Sequence, residues 1–161
     1  MNSRVLKSFL TECDVAIIGT SGGIGKALTE LMSQQVCVRH IYSCSRTNHT
    51  TGMDKTSFIP LNVTDESSVI SAVEKIIVKT TKLDLVIVAT GTLHEGESLQ
   101  PEKSWRSLSA DNLQTIFQIN TIGPTLVAKH FLDLLPKDRK SVFAALSARV
   151  GSIEDNSIGG W

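Results

Sequence analysis

Apolar and polar positions alternate in blocks along this chain, and the period changes from block to block. Val15-Ala16-Ile17-Ile18 is a short continuous apolar run, which reads as a buried strand. It leads into Gly19-Thr20-Ser21-Gly22-Gly23-Ile24-Gly25 and then into helical spacing at Ala27, Leu28 and Leu31. Val36, Cys37, Val38, Ile41, Tyr42 and Cys44 place a second strand at about residues 38–44. The polar stretch Asn48 to Thr56, with Gly52, is a loop, and Ser57-Phe58-Ile59-Pro60-Leu61 is a short third strand. Thr64 stands where it can cap the next helix, with Asp65 and Glu66 in the first turn, where the helix dipole favours negative charge. Val69, Ala72, Val73, Ile76 and Ile77 give that helix one buried stripe. Leu83 to Gly91 is apolar almost without interruption, the pattern of a parallel strand covered on both faces.

The second half is less regular. Thr92 to Ser109 reads as a loop that Trp105 packs down. Its His94, Glu95 and Glu97 find no second cluster to complete a metal site, so no metal is expected. Asp111 to Leu135 is the longest helical pattern, with Leu113, Ile116, Phe117, Val127, Phe131, Leu134 and Leu135 on its apolar face. Asn120 shares that face. Pro124 has no N–H for the carbonyl of Asn120, which predicts a kink and a freed carbonyl. Two readings fit: the carbonyl holds a water, or Asn120 is a satisfied core residue beside an ordinary kink. After the polar turn Pro136 to Lys140, Ser141 to Ser147 is another buried strand. Ala148 to Ser152 leave its carboxyl end, the edge of an open α/β sheet where ligands sit.

Strand, glycine turn and helix start make the context that a dinucleotide phosphate site requires. Gly19 lets the chain turn sharply. Gly23 and Gly25 remove side chains so that backbone can approach a pyrophosphate and the helix can pack on the sheet. The alternative is a tight turn with no ligand. No Asp or Glu occurs from Leu31 to Met53 to grip a ribose 2′-hydroxyl, and Ser45-Arg46 follows the second strand instead. A guanidinium pairs with a 2′-phosphate, so these residues favour NADP over NAD, the alternative being a solvated loop arginine.

Bulk properties narrow the class. With 161 residues, 41% hydrophobic content and no net charge, the chain reads as one soluble domain over residues 1–161, the first 12 being a short extension. There is no basic stripe for a nucleic acid, and no apolar run long enough to span a membrane. Cys13, Cys37 and Cys44 form no C-x-x-C pair and fit neither a disulfide framework nor a zinc site. Cys13 and Cys44 are expected as small core residues in a reducing cytoplasm.

Taken together, Gly19 to Gly25, Asn62-Val63-Thr64-Asp65, Ala89-Thr90-Gly91, Asn120-Thr121-Ile122-Gly123-Pro124 and Leu146 to Ile153 resemble the short-chain dehydrogenase/reductase superfamily. Within it the chain is most similar to the C-factor-like and sniffer-type carbonyl reductase branch, over about Asp14 to Trp161. The resemblance implies an α/β Rossmann-type three-layer sandwich with a parallel sheet in the order 3-2-1-4-5, the family's last strands being absent. It implies hydride transfer between a nicotinamide cofactor and a small carbonyl or alcohol. Gly19, Ser21, Ile24 and Gly25 would contact the pyrophosphate, Arg46 the 2′-phosphate, Asn62 and Val63 the adenine, and Ala89 and Gly91 the ribose region. Asn120 would order a proton-relay water, and Ser147 would be the catalytic serine, with Ser152 in reserve.

Several positions depart from the family pattern. Asn62 stands where the family usually has Asp, and its amide oxygen could still accept from the adenine amine. Val88-Ala89-Thr90-Gly91 replaces Asn-Asn-Ala-Gly. The family's Tyr-x-x-x-Lys does not occur, and the sole tyrosine, Tyr42, falls in the second strand. The expectation is therefore a truncated member, inactive alone for want of a general acid. The rival readings are a non-catalytic nucleotide-binding or regulatory fragment, and a chain that never folds stably. Family members are expected to be homo-oligomers. This chain is expected to self-associate through the strand Ser141 to Ser147 and a stripe formed by Leu113, Phe117 and Phe131.

Overall fold

The computed structural model describes residues 6, 8–9, 12–97, 99–102 and 104–154. The apolar runs become five parallel strands: β1 (Cys13–Ile18), β2 (Val38–Ser45), β3 (Thr56–Pro60), β4 (Leu85–Val88) and β5 (Val142–Ala145). Their spatial order is β3-β2-β1-β4-β5, the Rossmann-type order expected. Successive strand residues point to opposite faces. Ala16, Ile18, Tyr42, Cys44, Val86 and Val88 pack with Val69, Ala72 and Ile76 of helix α2 (Glu66–Ile77) and with Val127 and Phe131 of a helix later in the chain. Val15, Ile17, Ile41 and Leu85 pack on the other face with Met32 of α1 (Gly23–Ser33). Helices on both faces make three layers. Phe9 is buried in the second cluster, so part of the segment expected as an extension packs on the body.

Thr64 does not cap α2. Asp65 does, its carboxylate accepting from the Ser67 N–H at 2.9 Å, and Glu66 is the first helical residue. Both residue types are good caps, and Thr64 is diverted: its N–H and hydroxyl donate to Asn62 Oδ1 at 3.2 and 2.9 Å.

The long helical pattern is broken. It forms α3 (Ala110–Phe117), a π-helical turn over Gln118–Ile122, α4 (Gly123–Phe131) and a 3₁₀ turn over Leu132–Leu134. The expected kink is thus spread over the residues before Gly123. Pro124 follows the π turn within a continuous helical backbone, Ile122 and Gly123 both being helical, and the wide turn, in which the Gly123 N–H donates to the Gln118 carbonyl, falls where Pro124 supplies no N–H. Packing holds α4 close to the segment that follows β3 here, because a Cβ on Gly123 would stand 2.9 Å from Val63 Cγ2.

The extra residue of the π turn rotates α3 by about 100° relative to α4, and this corrects two expectations. Asn120 is exposed, not on a buried stripe. Leu113 and Phe117 are 40% and 57% exposed, while Phe131, expected beside them at the surface, is fully buried. A third correction lies in the preceding loop, which Trp105 does not pack down, being 88% exposed.

At the amino ends of the strands lies a charged pairing that the apolar pattern did not reveal. Asp14 and Asp84 are buried. Arg39 donates to both carboxylate oxygens of Asp14, from Nε at 2.9 Å and also from Nη2. Arg139 Nε donates to Asp84 at 2.8 Å, and the Asp14 N–H donates to Asp84 Oδ2 at 3.1 Å. Burial raises the Asp14 carboxyl, but hydrogen bonds led by Arg39 outweigh it and leave the group below its ordinary 3.8. A depressed folded value means that this pairing stabilises the fold above pH 3.8 and that the contribution is lost as pH falls through the folded value. Arg39→Ala is expected to cost about 1–3 kcal/mol at neutral pH. It also removes the largest opposition to burial, leaving the lesser contributions of Thr80 and His40, so the loss on acidification starts at higher pH. Urea denaturation across a pH series measures both.

Candidate nucleotide site

The site is built where β1 meets α1. Gly19 has φ +96°, and its N–H donates to the Cys44 carbonyl at 2.8 Å. A Cβ there would come within 2.9 Å of the Ala89 and Thr90 backbone. Gly19 therefore lets the turn lie against the end of β4. Gly25 acts differently. A Cβ on it would fall 2.2 Å from the Gly19 carbonyl oxygen, so its bare backbone seats α1 on the turn. A Cβ on Gly23 would meet open space. Gly22 is the N-cap of α1, with no side-chain cap and no acid in the first turn. The amino end of α1 is left to an anion, which its dipole attracts.

In front of this turn opens a cleft of about 550 Å³ at the carboxyl ends of the strands. Of the residues expected to bind a cofactor, Gly19, Ser21, Ser45, Arg46, Asn62, Val63, Ala89 and Gly91 line it. Gly23, Ile24 and Gly25 are not in its wall. They lie in the first turn of α1, where backbone N–H groups are what they have to offer. Asn120 and Ser147 are not in the wall either. Asn120 stands behind it, accepting from the Thr92 N–H at 2.8 Å and donating from Nδ2 to the Thr92 carbonyl at 2.7 Å. Its side chain thereby pins the loop after β4 to the π turn. Ser147 is exposed beyond the end of β5, and Ser152 is half-buried past the following 3₁₀ turn.

Ser45 is also more structural than its sequence position suggests. Its hydroxyl donates to the Thr47 carbonyl at 2.6 Å and accepts from Thr20 at 3.1 Å. Ser43 donates to Thr20 at 2.7 Å, and Thr50 donates to Ser43 at 3.2 Å. This buried hydroxyl chain ties the glycine turn to the segment that carries Arg46. Arg46 itself is exposed and makes no ion pair among the described residues. The absence of apolar character at alternate positions, Ser43 and Ser45, was the only signal of this network in the sequence. Thr90 Oγ1, in the cleft wall, is buried with no hydrogen-bond partner among the described residues.

Tyr42 lies fully buried in β2, its ring edge-on to His40 at 4.9 Å, and burial raises its hydroxyl above the ordinary value. Buried Cys13 and Cys44 are core residues as expected. Burial, reinforced at Cys13 by Cys37, pushes both thiols up to about 12. Among the described residues no helix is long and apolar enough to cross a membrane.

The family described as short chain dehydrogenase matches residues 14–154. The chain belongs to that family, one of oxidoreductases. No curated protein matches it in sequence. Solved structures share its fold at low identity. The Sniffer protein of Caenorhabditis elegans, assigned as a carbonyl reductase, is 22% identical with a TM-score of 0.78, over 93% of this chain and 68% of that one. An NADPH-bound carbonyl reductase from chicken fatty liver is 20% identical with a TM-score of 0.74, over 92% of this chain and 62% of that one. A short-chain dehydrogenase/reductase from Burkholderia multivorans with bound NADP is 19% identical with a TM-score of 0.74, over 92% and 64%. The chain thus spans about two-thirds of the length of these relatives.

Proposed function

We propose that this chain is the nucleotide-binding part of an NADP-dependent short-chain reductase of the sniffer-type or C-factor-like branch, acting on a small carbonyl or alcohol. The observation that carries the reading is the cleft itself. An uncapped helix amino end and an arginine with no ion-pair partner among the described residues face one cavity at the carboxyl ends of β1, β2 and β4. That donor set fits a dinucleotide bearing a 2′-phosphate: N–H groups and the α1 dipole for the pyrophosphate, Arg46 for the added phosphate. The bound nicotinamide would supply hydride exchange.

The chain's own residues bind and orient. Gly19 and Ser21 shape the phosphate wall, Asn62 and Val63 line the β3 end, and Ala89 and Gly91 line the β4 end. Asn120 holds the Thr92 loop beside Gly91, which makes it a positioning residue in this chain. Ser147 is the candidate to meet a substrate oxygen. No phenol in the described residues reaches the cleft, since Tyr42 is buried in the sheet. Binding without turnover is therefore the expected behaviour of these 161 residues.

Calorimetry with NADPH and NADH tests the reading. NADPH is expected to bind more tightly by about 1–3 kcal/mol, the range for hydrogen bonds to a charged group. Arg46→Ala should abolish the difference. Equal affinities in the unaltered protein would remove the 2′-phosphate assignment.

A further inference from the structure

We infer that Asn62 reads the purine edge with a hydrogen-bond donor, so that the cleft does not select for the 6-amino group of adenine and accepts a 6-oxopurine dinucleotide as well. The inference rests on the dinucleotide reading above and says which base that site takes.

The position of the base follows from the layout of the cleft. The amino end of α1 holds the phosphates at its centre. Arg46 lies to the β2 side, so the half of the dinucleotide carrying the 2′-phosphate extends that way. Beyond Arg46 the wall is Leu61, Asn62 and Val63 at the end of β3. Asn62 is the residue there whose side-chain amide could pair with a base.

Chemistry settles which way that amide faces. A backbone N–H only donates, and the Thr64 N–H lies 3.2 Å from the Asn62 side-chain oxygen. The Thr64 hydroxyl donates to the same oxygen at 2.9 Å. The Asn62 backbone N–H is also committed, donating to Ser68 Oγ at 2.9 Å. What Asn62 has left for a ligand is Nδ2, which has two N–H donors and no partner among the described residues. The expected acceptance of an adenine amine by the Asn62 oxygen is therefore replaced by donation from its nitrogen.

An aspartate held in the same turn would leave a free carboxylate oxygen, an acceptor that matches an exocyclic amine. Asparagine leaves a donor, which matches an acceptor. Adenine offers acceptors only at its ring nitrogens, those nearest position 6 flanking a donating amine, whereas a 6-oxopurine offers the exocyclic O6 itself.

The test compares NADPH with its hypoxanthine analogue by calorimetry on the unaltered chain and on Asn62→Asp. The expected result is that the analogue binds the unaltered chain within about threefold of NADPH or more tightly. Asn62→Asp should move the ratio toward NADPH by about tenfold, the effect of exchanging one hydrogen bond for a lone-pair clash. A tenfold or greater preference of the unaltered chain for NADPH would overturn the inference and leave the dinucleotide site standing. So would an unchanged ratio in a folded Asn62→Asp protein. Binding of neither nucleotide would overturn the dinucleotide reading, and the inference with it.

Discussion

Gly25→Ala is expected to destabilise the chain by about 3 kcal/mol or more and to abolish nucleotide binding. The added Cβ would stand 2.2 Å from the Gly19 carbonyl oxygen and 2.7 Å from its carbon. Both neighbours are backbone, so no side chain can swing aside. Either α1 lifts from the turn, or Gly19 moves into the Ala89 and Thr90 backbone that it already approaches. Lifting α1 uncovers Met32 and Val15 on one face of the core and carries the phosphate-facing helix end away from the cleft. Gly23→Ala is the control two residues earlier. Its Cβ meets open space in the first turn of the same helix, and alanine forms helix better than glycine by about 1 kcal/mol. That variant should melt at or above the parent temperature. Thermal melts of the pair make the stability comparison, and an NADPH titration of Gly25→Ala measures the loss of binding. A Gly25→Ala protein as stable as Gly23→Ala would mean that the turn does not pack as described.

The contrast between these two glycines also marks what the sequence could and could not tell. Both sit in one cluster and look alike there. The cluster, the flanking apolar run and the helical spacing were enough to place strand, turn and helix, because each is a local pattern. The order of the strands followed from the family resemblance. Which glycine carries the contact depends on where the Gly19 carbonyl points, and that is a tertiary fact. The π turn at Gln118–Ile122 escaped for a related reason. One extra residue per turn leaves the apolar spacing of Asp111 to Leu135 plausible on either side, while turning Leu113 and Phe117 outward and Phe131 inward.

Asp14 and Asp84 read as interruptions of apolar runs. Their arginine partners lie 25 and 55 residues away, beyond any local pattern. In the cleft, sequence placed Arg46 and Asn62 correctly at strand ends. The direction of the Asn62 amide depends on Thr64, whose sequence position points to a helix cap and not to a contact with Asn62.

The 161-residue chain is expected to self-associate through the free side of β5, and Ala145→Pro is expected to suppress it. β5 is an outer strand of the sheet. Its Val142 N–H donates to Asp84, and the N–H of Leu146, just past the strand, donates to Val88, both at 2.9 Å. By the two-residue period of a strand, Phe143 and Ala145 then direct their N–H groups away from β4. Val142 to Ala145 carries no charge, no proline and no bulge, so among the described residues no feature of the strand itself blunts the edge. Exposed apolar surface accompanies it: Leu146 is 47% exposed, and Leu113 and Phe117 are open on α3. Such surface normally marks an interface or an aggregation site.

Proline at 145 removes one outward donor and touches no hydrogen bond to β4, which is why an edge strand tolerates it. Light scattering behind size-exclusion chromatography should give a mass above 17.5 kDa that rises with concentration. In Ala145→Pro the rise should shift to concentrations about tenfold higher, as expected for the loss of one or two intermolecular hydrogen bonds. A parent chain that stays monomeric at every concentration, with cooperative unfolding and no dye-detectable apolar surface, would contradict the edge as the site of association. Association unchanged by proline would move it to the α3 face, where Phe117→Glu is the corresponding test.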